Sequence, residues 1–165
     1  MSGPRESWPT AERLRALFNY DPATGALTWR VQQGRARAGD PAGHRRKDGR
    51  NTVRVDRLIF LGYRVIWCHV TGEWPRAEID HIDCNPSNDA WSNLREASGF
   101  QNGLNRRVRA DSKAGIKGVQ WCRQHAKWRA RFRRRVLGYF GTLDEANAAY
   151  FVAASAADAA FARAQ

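Results

Sequence analysis

The strongest constraint on this chain is a six-residue alternation. Lys127-Trp128-Arg129-Ala130-Arg131-Phe132 carries an apolar or small residue at every second position and a cation between. Successive side chains on a strand point to opposite faces. The pattern therefore puts Trp128, Ala130 and Phe132 on one face, and Lys127, Arg129, Arg131 and Arg133 on the other. One face needs covering and the other needs water or an anion. Flanking strands are expected at 116–122 and 136–140. An Ala-rich helix is expected from Leu143-Asp144-Glu145 to Ala162, because Ala has the highest helix propensity. Ala146, Ala149, Tyr150 and Ala153 can lie flat on the sheet. Three strands and one helix make a small domain.

The charge of the chain is partitioned in the same sense. Of 165 residues, 28 are Lys or Arg and 16 Asp or Glu, a net of +12. Residues 112–143 hold nine cations and no acid, and residues 30–64 hold ten cations against Asp40, Asp48 and Asp56. Between these blocks, residues 76–96 hold five acids against Arg76 and Arg95. An acidic island between basic blocks implies a small cation site flanked by phosphate-binding surfaces.

Ahead of the island, Thr10 can cap a short helix with Leu14, Leu17 and Phe18 as its apolar stripe. A turn at Asp21-Pro22-Ala23-Thr24-Gly25 leads into a short strand at Ala26–Trp29. Residues 32–51 read as a basic loop, Thr52–Phe60 as one strand, and Tyr63–Val70 as a buried helix stopped at Gly72-Glu73-Trp74-Pro75. Within the island the reading is a strand Glu78–Ile82, a loop Asp83–Ala90, a strand Trp91–Arg95 and a helix capped by Ser98 and running to Arg107.

Asp80-His81, Asn93-Leu94-Arg95 and Asn102 recur through that unit at spacings of twelve and nine residues. The string Thr71-Gly72-Glu73-Trp74-Pro75, Ile79-Asp80-His81-Ile82-Asp83, Asn93-Leu94-Arg95-Glu96-Ala97 and Gln101-Asn102 resembles the HNH (ββα-metal) endonuclease family, in its phage-type homing branch. The resemblance extends upstream over Leu14–Trp29 and Tyr63–Trp67, although that branch usually has His where Tyr63 stands. It implies catalytic roles for His81, as general base, and for Asn93, as a loop brace. It implies metal-ligand roles for Asp80 and Asn102, with Asn105 as a supporting contact.

The chemistry suits the residue types. Phosphodiester hydrolysis needs an activated water and charge stabilisation on the phosphate. An imidazole that is neutral near pH 7 can accept the proton of that water. Asp80 and Asn102 both offer oxygen, so one Mg²⁺ or Mn²⁺ ion per active site is expected rather than Zn²⁺.

The C-terminal unit resembles the Apetala-type (ethylene-response-factor) DNA-binding domain. The resemblance rests on Gly118-Val119-Gln120-Trp121, Lys127-Trp128-Arg129-Ala130, Leu137-Gly138-Tyr139-Phe140-Gly141-Thr142 and Glu145–Tyr150. It implies a three-stranded sheet laid in the major groove. The expected DNA contacts are Gln120, Trp121, Arg123, Lys127, Arg129, Arg131, Arg133 and Arg135, since Arg suits both phosphate and guanine edges.

The expected fold is α+β: a ββα-metal nuclease domain with an N-terminal extension over 1–110, then a three-stranded antiparallel sheet on one long helix over 111–165. The expected partner is double-stranded DNA, with no small-molecule cofactor and a monomer or weak dimer. No apolar run reaches the roughly 20 residues of a membrane helix, and the start lacks the apolar core of a signal peptide. Cys68, Cys84 and Cys122 form no CxxC pair, which fits a reducing cytosol. The resemblance adds a phage-encoded protein acting in a bacterial cytoplasm. Two rivals stand beside the nuclease: a catalytically inactive sequence-specific DNA-binding protein, and a small RNA-binding or packaging protein.

Overall fold

A computed structural model describes residues 8–157 except 107, 109–111 and 113. The chain divides into two compact units, residues 1–98 and 99–165. Among the described residues all strand pairings are antiparallel, in four small sheets.

The first unit begins with α1 (Ala11–Leu17), where the Thr10 hydroxyl accepts the N–H of Arg13 at 3.2 Å. This satisfies one of the donors a helix start leaves open. Leu14 and Leu17 turn inward, but Phe18 leaves the helix and opens β1 (Phe18–Tyr20), which pairs with β2 (Leu27–Trp29). The turn between them is held by Asp21, whose carboxylate accepts from the Ala23 N–H at 3.0 Å and the Thr24 hydroxyl at 2.6 Å.

Residues 32–51 are not one loop. Their end forms β3 (His44–Arg45), which pairs with β4 (Asn51–Val55). The single strand expected over Thr52–Phe60 is instead a hairpin of β4 with β5 (Leu58–Leu61). Asp56 and Arg57 form its two-residue turn, with φ of 45° and 71°. Left-handed conformation at both central residues matches the twist of a tight hairpin. No Gly marks this turn. Asp56 is held instead by an ion pair to Arg13 at 2.9 Å.

Helix α2 (Gly62–Thr71) follows and stops at Gly72 in the left-handed region. Leu14, Leu17, Phe18, Val53, Val55, Phe60, Val65 and Ile66 form a buried cluster that also takes in Ile79 and Leu94 of the next hairpin. Burying side chains of this size contributes about 1.5–3 kcal/mol each. This core anchors the hairpin of β6 (Glu78–His81) and β7 (Leu94–Ala97), in register Asp80↔Arg95 and His81↔Leu94. The strand expected at Trp91–Arg95 starts later, because Trp91–Asn93 forms a 3₁₀ turn whose last side chain serves the preceding loop.

The second unit contains α3 (Gly99–Asn105), β8 (Val119–Cys122), β9 (Lys127–Phe132), β10 (Arg135–Phe140) and α4 (Leu143–Ala157). The sheet order is β10-β9-β8. Val119, Ala130 and Ala146 form its buried centre, with Trp128, Leu137, Phe140, Ala149 and Tyr150 against them. Helix α4 opens with a reciprocal cap. The Thr142 hydroxyl accepts the Glu145 N–H at 3.2 Å, and the Glu145 carboxylate accepts the Thr142 N–H at 3.3 Å. The end of this helix expected near Ala162, and part of the linker expected at 108–115, lie outside the described residues. Among the described residues, no helix is long and apolar enough to cross a membrane.

Candidate functional site

The β6–β7 hairpin brings Asp80 and His81 to adjacent positions, and both are buried. Their side chains have different partners. Asp80 faces Arg95 across the strand pair. Its Oδ2 accepts from Arg95 Nη2 at 2.9 Å and from Nε at 3.1 Å. His81 Nε2 lies 2.9 Å from Asp89 Oδ1 in an environment buried on both sides. The Tyr63 ring meets the imidazole in a T-shaped contact, with centroids 5.2 Å apart and planes at 87°.

Asp89 is the residue the sequence reading missed. It comes from the loop after His81, and three contacts from the N-terminal hairpin hold the backbone of residues 89–91. The Tyr20 hydroxyl donates to the Asp89 carbonyl at 2.9 Å, and the Trp91 N–H donates to the Pro22 carbonyl at 3.0 Å. Gly25, at φ +77°, lies so close that a Cβ there would overlap the backbone of Asp89 and Ala90. Burial, together with the charges of Asp89 and Asp21, pushes the Tyr20 phenol up to about 12. The one signal available beforehand was an acid in a polar loop eight residues after His81, close enough to fold back.

Asn93 spans the loop. Its Oδ1 accepts the Asp83 N–H at 3.0 Å, while its Nδ2 donates to Asp83 Oδ1 at 2.9 Å and to the Asn88 carbonyl at 2.8 Å. Asp83 also accepts from Asn88 Nδ2 at 2.8 Å and from the Asn85 N–H at 2.7 Å. Burial raises the Asp83 pKa. The hydrogen bonds from Asn88, Asn85 and Asn93 outweigh that and hold it below the usual carboxylate range. The loop is therefore a closed polar network with Asn93 at its centre.

Asn102 and Asn105 are carried by α3, in the second unit, and Asn105 is buried. Among the described residues, no group of three or more His, Cys, Asp or Glu side chains is placed to hold a metal ion. The expected donors, one carboxylate and one amide oxygen, do not depend on such a group. Their chemistry, oxygen from a carboxylate and from an amide, fits a hard divalent cation.

On the C-terminal sheet, residues paired across strands share a face. Gln120, Arg129 and Tyr139 form one row, on the face opposite Ala130, and Lys127 pairs with Cys122 on that same face. Arg129 Nε is buried with no hydrogen-bond partner among the described residues. Trp121 lies opposite Trp128 on the other face, with ring centroids 5.2 Å apart, and Arg135 pairs with Phe132 there. Arg131 donates from Nε to the Arg133 carbonyl at 3.1 Å, and Arg133 occupies the following turn at φ 56°. Arg123 begins the turn between β8 and β9, where its carbonyl accepts the Ala126 N–H. The eight expected contacts thus divide among the cationic face, its opposite face and the turns. Tyr139, whose ring lies 4.2 Å from His125, is an addition.

Comparison with known proteins bears on part of the chain. Protein 3.8 of Escherichia phage T7 is 38% identical over 65 residues, which is 39% of this chain and 54% of that protein. The chain thus spans about half the length of the curated relative it matches. No solved structure matches the chain. Residues 63–104, from Tyr63 through both strands of the Asp80-His81 hairpin to α3, match the family model of the HNH endonucleases.

Proposed function

We propose that this protein is a metal-dependent DNA endonuclease of the homing or nicking type. The observation that carries the reading is the buried His81–Asp89 pair, 2.9 Å apart, on the hairpin that also presents Asp80. A neutral imidazole that gives its Nε2 hydrogen to a carboxylate keeps its basic lone pair on Nδ1. In this reading His81 takes the proton of the attacking water at Nδ1. Asp89 holds the ring in that tautomer and stabilises the imidazolium that forms. Asn93 keeps the loop carrying Asp89 in place.

Asp80 would hold one Mg²⁺ or Mn²⁺ ion, and the family resemblance adds Asn102 as a ligand. When bound, such an ion supplies charge stabilisation at the phosphate and at the departing 3′ oxygen. The Arg95 pair would keep the Asp80 carboxylate in place for that role. Residues 1–110 serve as the nuclease domain and residues 111–165 grip duplex DNA. The cation row supports the second assignment, because residues 112–143 hold nine cations and no acid and Lys127, Arg129 and Arg131 share one face of the sheet. The setting is a bacterial cell, with the gene carried by a phage.

A second reading, a sequence-specific DNA-binding protein without cleavage activity, draws on Tyr63, which stands where the homing branch has His and packs on the general base itself. The deciding experiment is plasmid cleavage by the purified protein with Mg²⁺, Mn²⁺ or Zn²⁺, scored for nicked and linear product. Cleavage with Mg²⁺ or Mn²⁺ supports the nuclease and its oxygen ligands. Binding without cleavage in any metal selects the second reading. Preference for RNA over duplex DNA in competition contradicts both.

A further inference from the structure

The C-terminal sheet accounts for only one of the two basic blocks. The other contains the β3–β4 hairpin, whose segment His44-Arg45-Arg46-Lys47-Asp48-Gly49-Arg50-Asn51 holds four cations against one acid. Its turn is closed by the Arg46 N–H to the Arg50 carbonyl at 2.8 Å and the Gly49 N–H to the Arg46 carbonyl at 3.0 Å. Arg46, Lys47 and Arg50 are exposed.

A solvated charge run has no need of an anchor, but this turn is fastened to the loop that carries Asp89. Arg45 donates to the Ser87 carbonyl at 3.3 Å and to the Gly49 carbonyl at 3.0 Å. The Ser87 hydroxyl donates to the Gly49 carbonyl at 3.0 Å. Gly49, at φ +85°, packs so tightly that a Cβ would sit 2.7 Å from Ser87 Oγ and 3.2 Å from Pro86. Ser87 is two residues from Asp89. Arg50 also lies near enough to Tyr63 for its charge to oppose the rise that burial causes in that phenol, and the Tyr63 ring meets His81 at 87°. The turn thus sits on the walls of the His81 site.

Its cations also converge on an oxyanion. Asp48 Oδ2 lies 3.1 Å from Arg50 Nη1 and 3.7 Å from Arg46 Nη2. An acid placed between two exposed arginines marks where a phosphate oxygen can sit, and guanidinium matches phosphate geometry.

We propose that the β3–β4 turn is a phosphate-binding arm, with Arg46, Lys47 and Arg50 as its contacts, that holds the backbone of the DNA strand lying at the His81 loop. The position relative to the cut rests on the nuclease reading; the binding surface itself does not. Asp48 competes with the incoming phosphate and so tunes the affinity of the arm.

The test uses the full chain, duplex DNA and no divalent ion, measuring the slope of log affinity against log salt. Each phosphate contact contributes about 1 to that slope. The triple variant R46Q/K47Q/R50Q is expected to lower it by about 3. D48N keeps an acceptor for the Arg50 N–H and removes only the charge, so it is expected to tighten binding. A gain of affinity cannot come from misfolding. In hydroxyl-radical footprints the triple variant should lose protection at a few adjacent phosphates. The proposal is overturned if the triple variant keeps the wild-type slope, if D48N weakens binding, or if the triple variant loses affinity for duplex RNA alone. A wild type that never cleaves, but whose slope responds as described, supports the arm and removes the nuclease reading. A wild type that cleaves while its slope is indifferent to these changes removes the arm alone.

Discussion

His81 Nε2 and Asp89 Oδ1 lie 2.9 Å apart, both side chains almost wholly removed from water. The pair fixes which imidazole nitrogen carries hydrogen, and that makes a sharp prediction for Asp89→Asn. The amide is nearly isosteric but can donate to Nε2, which moves the ring hydrogen to Nδ1 and disables the base. Cleavage should fall by about 10²–10⁴-fold while DNA affinity and thermal midpoint stay near wild type. Single-turnover cleavage and equilibrium binding check the two halves. ¹⁵N chemical shifts of the His81 ring read the tautomer directly.

Asn93 makes three side-chain hydrogen bonds within the loop from Asp83 to Asn88. Asn93→Ala removes all three and leaves a buried loop network partly unsatisfied. The expected cost is about 2–3 kcal/mol, read from urea unfolding of the full chain. Asn93→Asp should recover only the bond from the Asp83 N–H and place a second carboxylate against Asp83, so it should not restore stability.

Arg95 makes its ion pair with a carboxylate that is itself only 6% exposed. Arg95→Leu removes this counter-charge from the Asp80 carboxylate and should destabilise the metal-free protein by about 2–3 kcal/mol, less than for a fully buried pair because Arg95 keeps 22% exposure. If Asp80 holds the proposed divalent ion, that ion would supply positive charge in its place. Millimolar Mg²⁺ should therefore raise the thermal midpoint of this variant more than that of wild type. Equal shifts would remove Asp80 from the ligand set.

The strand that carries Asp80 and His81 was legible in the sequence, and the reason is local. Asp80-His81 sits in a short strand within the expected Glu78–Ile82, whereas the register Asp80↔Arg95 was not legible, because the 3₁₀ turn at Trp91–Asn93 delays the partner strand. The alternation over Lys127–Phe132 also fixed its own strand, with the same ends. What escaped depended on contacts distant in sequence. Phe18 fits a helical stripe yet opens a strand, because its ring belongs with Trp29, 4.7 Å away between centroids. The Asp56-Arg57 turn carries no glycine and is held by Arg13, 43 residues earlier. Asp89 looked like one more polar loop residue. Its role rests on Tyr20 and Gly25, about which no local pattern speaks.

Tyr20 links that buttress to pH. Its phenol titrates at about 12 in the folded chain, against about 10 for a free tyrosine. A folded pKa raised above the unfolded one means that the folded chain holds the proton more tightly. The resulting stability is complete below about pH 10, declines as pH rises, and is gone above about pH 12. Tyr20→Phe should flatten the stability profile over that window. It should also lower cleavage at neutral pH, because the hydrogen bond to the Asp89 carbonyl is lost.

The Asp80-His81 hairpin is proposed above as a working nuclease centre. The most direct measurement compares wild type with His81→Ala in Mg²⁺ on supercoiled plasmid, with DNA affinity measured alongside. The account predicts nicked or linear product from wild type, loss of that product by about 10²-fold or more in the variant, and unchanged affinity. Wild-type protein that binds duplex DNA but leaves the plasmid intact, or a variant that cuts as well as wild type, would contradict it.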